Sequence, residues 1–458
     1  MSLPSSETPS EDVQLNAPTV ALVAVASPVE AGGDRGEAII RQAKAVLECS
    51  GLSVIGPDSV VWGSDDVVRA VRSFGSAKPE ILVIVHCSWV VDALQFQLTR
   101  EFGAPVLLWA LPYPETYSLA SVKHFSSVAR SAGLFHRWGY GEVDQPGFVR
   151  AVAPLARAAK AAGRLRRSRA ALMAARSTWR TGGPQDMTYD DWDLGDRLGV
   201  TLLHLPLEQL VEAAKSETDE TARVALSAHA KSHRDLELLA ERSLFAAKVY
   251  LATLKTISTY GLDGLAVACY PTDFGLVNLA ASWLADEGVY LDPEGDVGHT
   301  VLANAMIGLR PAPVALAEPV LVDGDRLLLR HEGSSAASLA VGPDQVHVTP
   351  LGDTTGTAVE FPYRPMDVLT AASLAGRRGE YKLWLGRFAS VGIPPEEWNA
   401  RGRGFLAALR PEGDPEVLIA RMFETGMDHH LLLQEGDSVA ELRNLAEICG
   451  VTVVPLNE

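Results

Sequence analysis

Residues 81–111 read ILVIVHCSWVVDALQFQLTREFGAPVLLWAL. Two runs in it, Ile81–His86 and Pro105–Leu111, are apolar without alternation, and the stretch between them suits a helix. A strand open to water on one face alternates polar and apolar residues, whereas a strand buried on both faces is apolar throughout. Two such runs joined through a helix therefore predict a parallel sheet covered on both sides. Thr19–Ala26 (TVALVAVA) adds another buried strand, and a short one is expected around Val54. Helices are expected over Arg35–Cys49 and near Asp65–Phe74. The reading is a doubly wound α/β domain over 18–165, preceded by a disordered polar tail at 1–17.

Beyond the basic patch GRLRRSR, which ends at Arg169, a second strand–helix series begins with Ala170–Ala175. Gly199–Leu205 and Leu265–Cys269 are its other strands, and Arg234–Tyr260 carries leucines at helical spacing. A second α/β domain is expected at 166–312. After Pro313 the texture changes. VLVDGDRLLLR places Asp323-Gly324 between two apolar runs, a hairpin signal. QVHVTPL, TAVEFPY, VLTAASLAG and YKLWLGRF follow as short strands with almost no helix between them. Near the end, Ser438–Cys449 reads as a helix, with Ser438 and Glu441 at capping-box spacing, before a last strand at Thr452–Val454. The predicted fold is thus two doubly wound, Rossmann-like α/β domains followed by a C-terminal antiparallel β-barrel-like domain at 313–458.

Composition narrows the function. The 458 residues are 47% hydrophobic and 21% charged, enough for large cores without a metal or disulfide to hold them. A net charge of −17 argues against a nucleic-acid groove or an anionic membrane surface, both of which need clustered Lys and Arg. The apolar runs are strand-sized, so no membrane span is expected. Cys49, Cys87, Cys269 and Cys449 lie far apart without a CxxC pair, and the opening residues lack a basic, then apolar, leader. Free thiols in a reducing cytoplasm are the expectation.

Three places collect acids and histidines where the chain turns. Asp273 in CYPTDFG follows the C-terminal end of a strand, where open α/β sheets bind ligands. Glu294, Asp296 and His299 stand in PEGDVGH before a helix. Asp428, His429 and His430 in GMDHHLL lead into an apolar run. Each has a plain structural reading as well. Asp273 suits a turn, Glu294 or Asp296 could cap the helix near Val297, and one of the paired histidines could be a core residue. Trp179, Arg180 and Met187 lie in a Gly-rich loop after a strand, and Trp89 follows the strand ending at His86. Both places suit pocket walls or ordinary surface. His331 follows the LLLR strand, facing substrate or only ending a hairpin. Arg401, Arg403 and Arg410 read as a solvated loop, or as a clamp for an anionic group.

Leu276–Asp296, LVNLAASWLADEGVYLDPEGD, resembles the helix–loop–EGD element of the L-fucose isomerase and L-arabinose isomerase superfamily. The ending DHHLLLQEGDSVAELRNLAEICGVTVVPL is similar to that superfamily's C-terminus, where a histidine opens a strand before a final helix and strand. Trp109–Pro112 (WALP) and the domain order agree with it. The resemblance implies a divalent cation, usually Mn²⁺, held by strand-end and EGD-turn carboxylates and one C-terminal His. Those positions are matched by Asp273, where relatives usually have Glu, by Glu294 and Asp296, and by His430, with His429 as the alternative. Asp273, Glu294 and Asp296 are also the implied catalytic acids.

What the resemblance implies is aldose–ketose isomerisation, in which a proton leaves the carbon beside a carbonyl and returns to its neighbour. The ene-diol between them carries charge on two adjacent oxygens, which a divalent ion can chelate while one carboxylate shuttles the proton. The substrate implied is a neutral deoxy-hexose or pentose, or an anionic hexose such as sulfoquinovose. The partners implied are that small-molecule sugar and other copies of the chain, as a trimer or hexamer with sites near subunit interfaces. A non-catalytic sugar-binding or regulatory relative is the alternative, because Asp273 replaces the usual Glu.

Overall fold

The computed structural model describes residues 17–75, 77–174, 191–236, 238–270, 272–352, 355–377 and 380–457. The chain divides into two compact units, one ending at Gly163 and one beginning at Arg164. In the first, β1 (Thr19–Val25), β2 (Ser53–Ile55), β3 (Ile81–His86), β4 (Val106–Ala110) and β5 (His136–Tyr140) form one parallel sheet in the order 2-1-3-4-5. That is the strand order of flavodoxin-like doubly wound sheets. Ala21, Val23, Leu82, Ile84, Val106 and Leu108 share one core with Val67, Leu94 and Phe125 from three helices. The intervening strand residues are buried too, and Trp109 packs edge-on against Phe148 at 4.9 Å. Burial on both faces is why these strands read as unbroken apolar runs.

The second unit begins with a four-stranded parallel sheet of β6 (Arg169–Ala174), β7 (Thr201–Pro206), β8 (Gly264–Val267) and β9 (Leu291–Asp292), ordered 7-6-8-9. The long helix runs Ala240–Tyr260 rather than from Arg234. Arg234 instead bridges to His347, because a separate helix, Asp219–His229, uses the preceding residues.

From Val314 the chain is antiparallel. β10 (Val314–Asp323), β11 (Arg326–His331), β14 (Met366–Arg377), β15 (Glu380–Val391), β16 (Phe405–Arg410) and β17 (Leu431–Glu435) close a six-stranded barrel, shut by the β15–β16 pairing. β13 (Thr357–Pro362), with β12 (His347–Pro350) beside it, pairs additionally with β16, and β18 (Thr452–Pro455) with β15. The chain is thus mixed α/β, with parallel-sheet units and a C-terminal antiparallel barrel carrying extra strands. Closure removes edges that would otherwise recruit other strands.

Two details depart from the sequence reading. The helix Pro415–Thr425 lies in a stretch expected to be nearly helix-free. Ser438 makes no side-chain cap; Asp437 accepts from the Val439 N–H at 3.1 Å, and the Ser438 N–H donates to Thr370 at 2.9 Å. No helix among the described residues is long and apolar enough to cross a membrane.

Candidate metal centre

The helix Val297–Leu309, VGHTVLANAMIGL, is apolar on nearly every side. Such a helix must be enclosed, and it lies between β6, β8 and β9 of the parallel sheet and β10, β14 and β17 of the barrel. The turn that feeds it is Glu294-Gly295-Asp296, directly after β9 at the C-terminal edge of the sheet. Gly295 has φ 84°, and a Cβ there would lie 2.9 Å from Ala268 Cβ. Only glycine tolerates both demands. Asp292 at the end of β9 ties the turn down, one oxygen accepting from the Glu294 and Asp296 N–H groups, each at 2.9 Å. Burial, then the neighbouring Asp296 charge, push the Asp292 carboxyl well up.

Asp296 caps the helix as expected, accepting from the His299 N–H at 2.9 Å. Its other oxygen lies 2.6 Å from His299 Nδ1 and 2.8 Å from His430 Nδ1. Burial opposes its charge, but the two imidazoles outweigh burial and hold the carboxyl far below the usual range. The cap is therefore observed, and the same side chain also contacts two imidazoles.

With its Nδ1 facing Asp296, His430 directs Nε2 toward 3.4 Å from Glu294 and 3.7 Å from Glu318. Glu294 is also 3.6 Å from His331 Nε2. Ligand atoms of Glu294, Glu318, His331 and His430 all lie within 4.8 Å of one another, and those of Asp296, His299 and His430 form a second such group. Burial pushes the pKa of His331 down to about 4, so its ring is neutral near pH 7 with a lone pair to offer. Burial works against the Glu294 charge as well, but the facing His430 and His331 hold it below the usual range. Two carboxylates and two imidazoles suit a divalent first-row ion. A carboxylate behind a ligating imidazole is the usual outer support of such a ligand.

Glu294, Glu318 and His331 line a cleft of about 370 Å³ together with Tyr270, Val320, Arg330, Glu332 and His429, while His430 is buried behind it. Glu332 has its pKa raised, first by burial and then by Glu294. His429 is partly exposed and 3.5 Å from Glu318, so the histidine pair does split between core and surface.

The structure brings together Glu294, Asp296, His331, His429 and His430. Asp273 it does not: the residue sits in an exposed turn after β8, its N–H bonded to Cys269 O at 2.7 Å, outside both groups. Trp89 belongs to the first unit, stacked on His124 at 5.5 Å. Trp179, Arg180 and Met187 lie outside the described residues. Arg401 pairs with Asp323 and Glu397, Arg410 with Asp325, and Arg403 lies over Trp398 near Glu360. Sequence reasoning missed Glu318 and Asp292. A single acid in the apolar run VALAEPVLV was the available signal for the first.

No family model matches the chain, and no curated protein matches it. Among solved structures, an ABC transporter periplasmic solute binding protein from Actinobacillus succinogenes 130z with bound D-allose is similar at 12% identity. The match covers 64% of this chain and 92% of that one, with a TM-score of 0.17. Superposition that low carries no argument about fold or ligand. What the fold and site define is a mixed α/β chain whose barrel and parallel sheet together present a group of acids and imidazoles able to hold a metal ion.

Proposed function

We propose that the protein is a metal-dependent aldose–ketose isomerase. The observation that carries this reading is the group formed by Glu294, Glu318, His331 and His430, of which Glu294, Glu318 and His331 line an open cleft and His430 is buried behind them. Those four side chains would hold a divalent cation such as Mn²⁺, and Asp296 would fix the His430 ring. The ion would stabilise negative charge on two adjacent sugar oxygens as the proton moves between their carbons. Glu332 lines the same cleft without belonging to the ligand group, and burial raises its pKa above the usual carboxylate range, the direction a proton shuttle needs. The proposal therefore moves the proton shuttle from Asp273, which lies outside the groups, to Glu332. His429 and Tyr270 would contact the sugar.

Three cleft carboxylates, one guanidinium (Arg330) and a divalent ion sum to neutrality, which favours an uncharged sugar over a sulfonated one. The other arginines considered for an anion already face carboxylates. Assembly into a trimer or hexamer and a cytoplasmic location remain part of the proposal.

Mn²⁺-loaded protein offered a panel of neutral aldoses in D₂O should incorporate deuterium at C1 or C2. Glu332→Gln should lower that rate by about 10²–10⁴-fold with Mn²⁺ affinity unchanged. A near-normal rate in Glu332→Gln beside a collapse in Asp273→Asn would return the shuttle to Asp273. No exchange with any aldose would favour a sugar-binding protein without turnover.

A further inference from the structure

β10 does not stay regular past Glu318. Pairing with β11 runs Glu318↔Arg330 and Pro319↔Leu329 and then resumes at Leu321↔Leu328, so Val320 is an extra residue without a partner. Such a bulge bends a strand and re-aims its side chains, often beside a binding site. Here it leaves Val320 50% and Leu321 45% exposed. Across from them the helix Pro415–Thr425 holds Phe423 at 82% exposure, above Met422 and Ile419. These side chains line an open groove of about 320 Å³. Two residues, Val320 and His429, line both this groove and the acid–imidazole cleft. The two hollows thus share a wall.

We infer that the ligand of this protein has two parts, a polar oxygen-bearing head at the acid–imidazole cleft and an apolar group of several carbons in the Val320–Phe423 groove. This rests on the metal reading above and goes beyond it, since an unsubstituted sugar would leave the groove bare. Continuity favours this occupant: a group leaving the cleft past His429 and Val320 meets apolar surface on the far side. Methionine and phenylalanine at the groove suit flexible alkyl or aryl groups, because thioether and aromatic surfaces adapt to varied shapes.

The test uses full-length protein loaded with Mn²⁺ and a series of straight-chain hydroxamic acids, from acetohydroxamic to octanohydroxamic acid, titrated calorimetrically. The hydroxamate supplies two adjacent oxygens and the chain probes the groove. Affinity should rise roughly three- to fourfold per added methylene over the first few carbons, the gain expected for a buried CH₂. Leu321→Asp and Phe423→Asp, both surface changes, should flatten the series while leaving Mn²⁺ and acetohydroxamic acid affinities unchanged. A flat series in the wild-type protein with Mn²⁺ bound would overturn the two-part ligand alone. If Phe423→Asp changes the sedimenting mass and not the series, a second copy covers the groove and the inference falls. Failure to take up Mn²⁺ at all would remove the metal reading and this inference together.

Discussion

His86 and His430 are both fully buried, one ending β3 in the first unit and the other standing just before β17 in the second. Their surroundings differ in kind. The Nε2–H of His86 donates to Gln95 Oε1 at 2.7 Å, and the Gln95 amide in turn donates to Val90 O at 3.1 Å. Burial pushes the His86 pKa down to about 4. That ring is a neutral packing element with an amide for company. His430 has a carboxylate on Nδ1 and two glutamates facing Nε2. Burial desolvates both imidazoles; the partner on the far nitrogen, and what the near nitrogen faces, separate a core residue from a ligand.

The ligand assignment of His430 breaks most visibly if its neighbour His429 contributes as much to metal binding. His430→Ala should lower Mn²⁺ affinity by more than about 100-fold, beyond the range seen for supporting residues. His429→Ala should cost less than about tenfold, as it only borders the cleft. Equilibrium dialysis distinguishes them, and the reverse ranking would exchange their roles.

For His86 the expected signature is on stability. Folded protein keeps this ring neutral down to about pH 4, while the unfolded chain protonates it near 6.5. The unfolded state therefore binds more protons between those values, and stability falls as pH drops through that window, by about 3 kcal/mol from this one group. His233, buried in the second unit and also lowered to about 4, adds a loss of the same sign. Urea unfolding across pH 7 to 4 should show the decline, and His86→Asn should remove part of it. An unchanged slope in that variant would show that His86 is not held neutral.

Asp296→Asn sharpens the contrast from the other side. Asparagine can still accept from the His299 N–H, so the helix stays capped, but the charge behind His430 is lost. Mn²⁺ affinity should drop about 10–100-fold without unfolding. Smallest of all, Asp273→Asn should leave Mn²⁺ affinity within about twofold, because that residue lies outside both donor groups.

Legibility in the sequence followed the range of the interactions. Unbroken apolar runs disclosed the parallel strands because burial on both faces is written locally. The EGD turn was readable for the same reason: its glycine, its cap and the following apolar helix are contiguous. Glu318 was not, since one acid in a strand looks the same whether it meets solvent or faces a histidine more than a hundred residues later. Asp292 was hidden beside Pro293, where LDPEGD reads as an ordinary turn. β16, six residues of FLAALR between Gly404 and Pro411, is too short for periodicity to separate strand from helix. Its pairing with β15, which closes the barrel, is set by long-range register. Asp273 drew attention by its place after a strand, but strand-end position does not say which way a turn presents its side chain.

Crystals of the Mn²⁺-loaded protein, examined by anomalous scattering at the manganese edge, would locate the ion. The expected result is one peak within about 2.0–2.4 Å of carboxylate oxygens of Glu294 and Glu318 and of Nε2 of His331 and His430. In that structure His430 Nδ1 should still face Asp296. A peak at Asp273, a peak between Asp296 and His299, or no peak under saturating Mn²⁺ would contradict the four-residue centre.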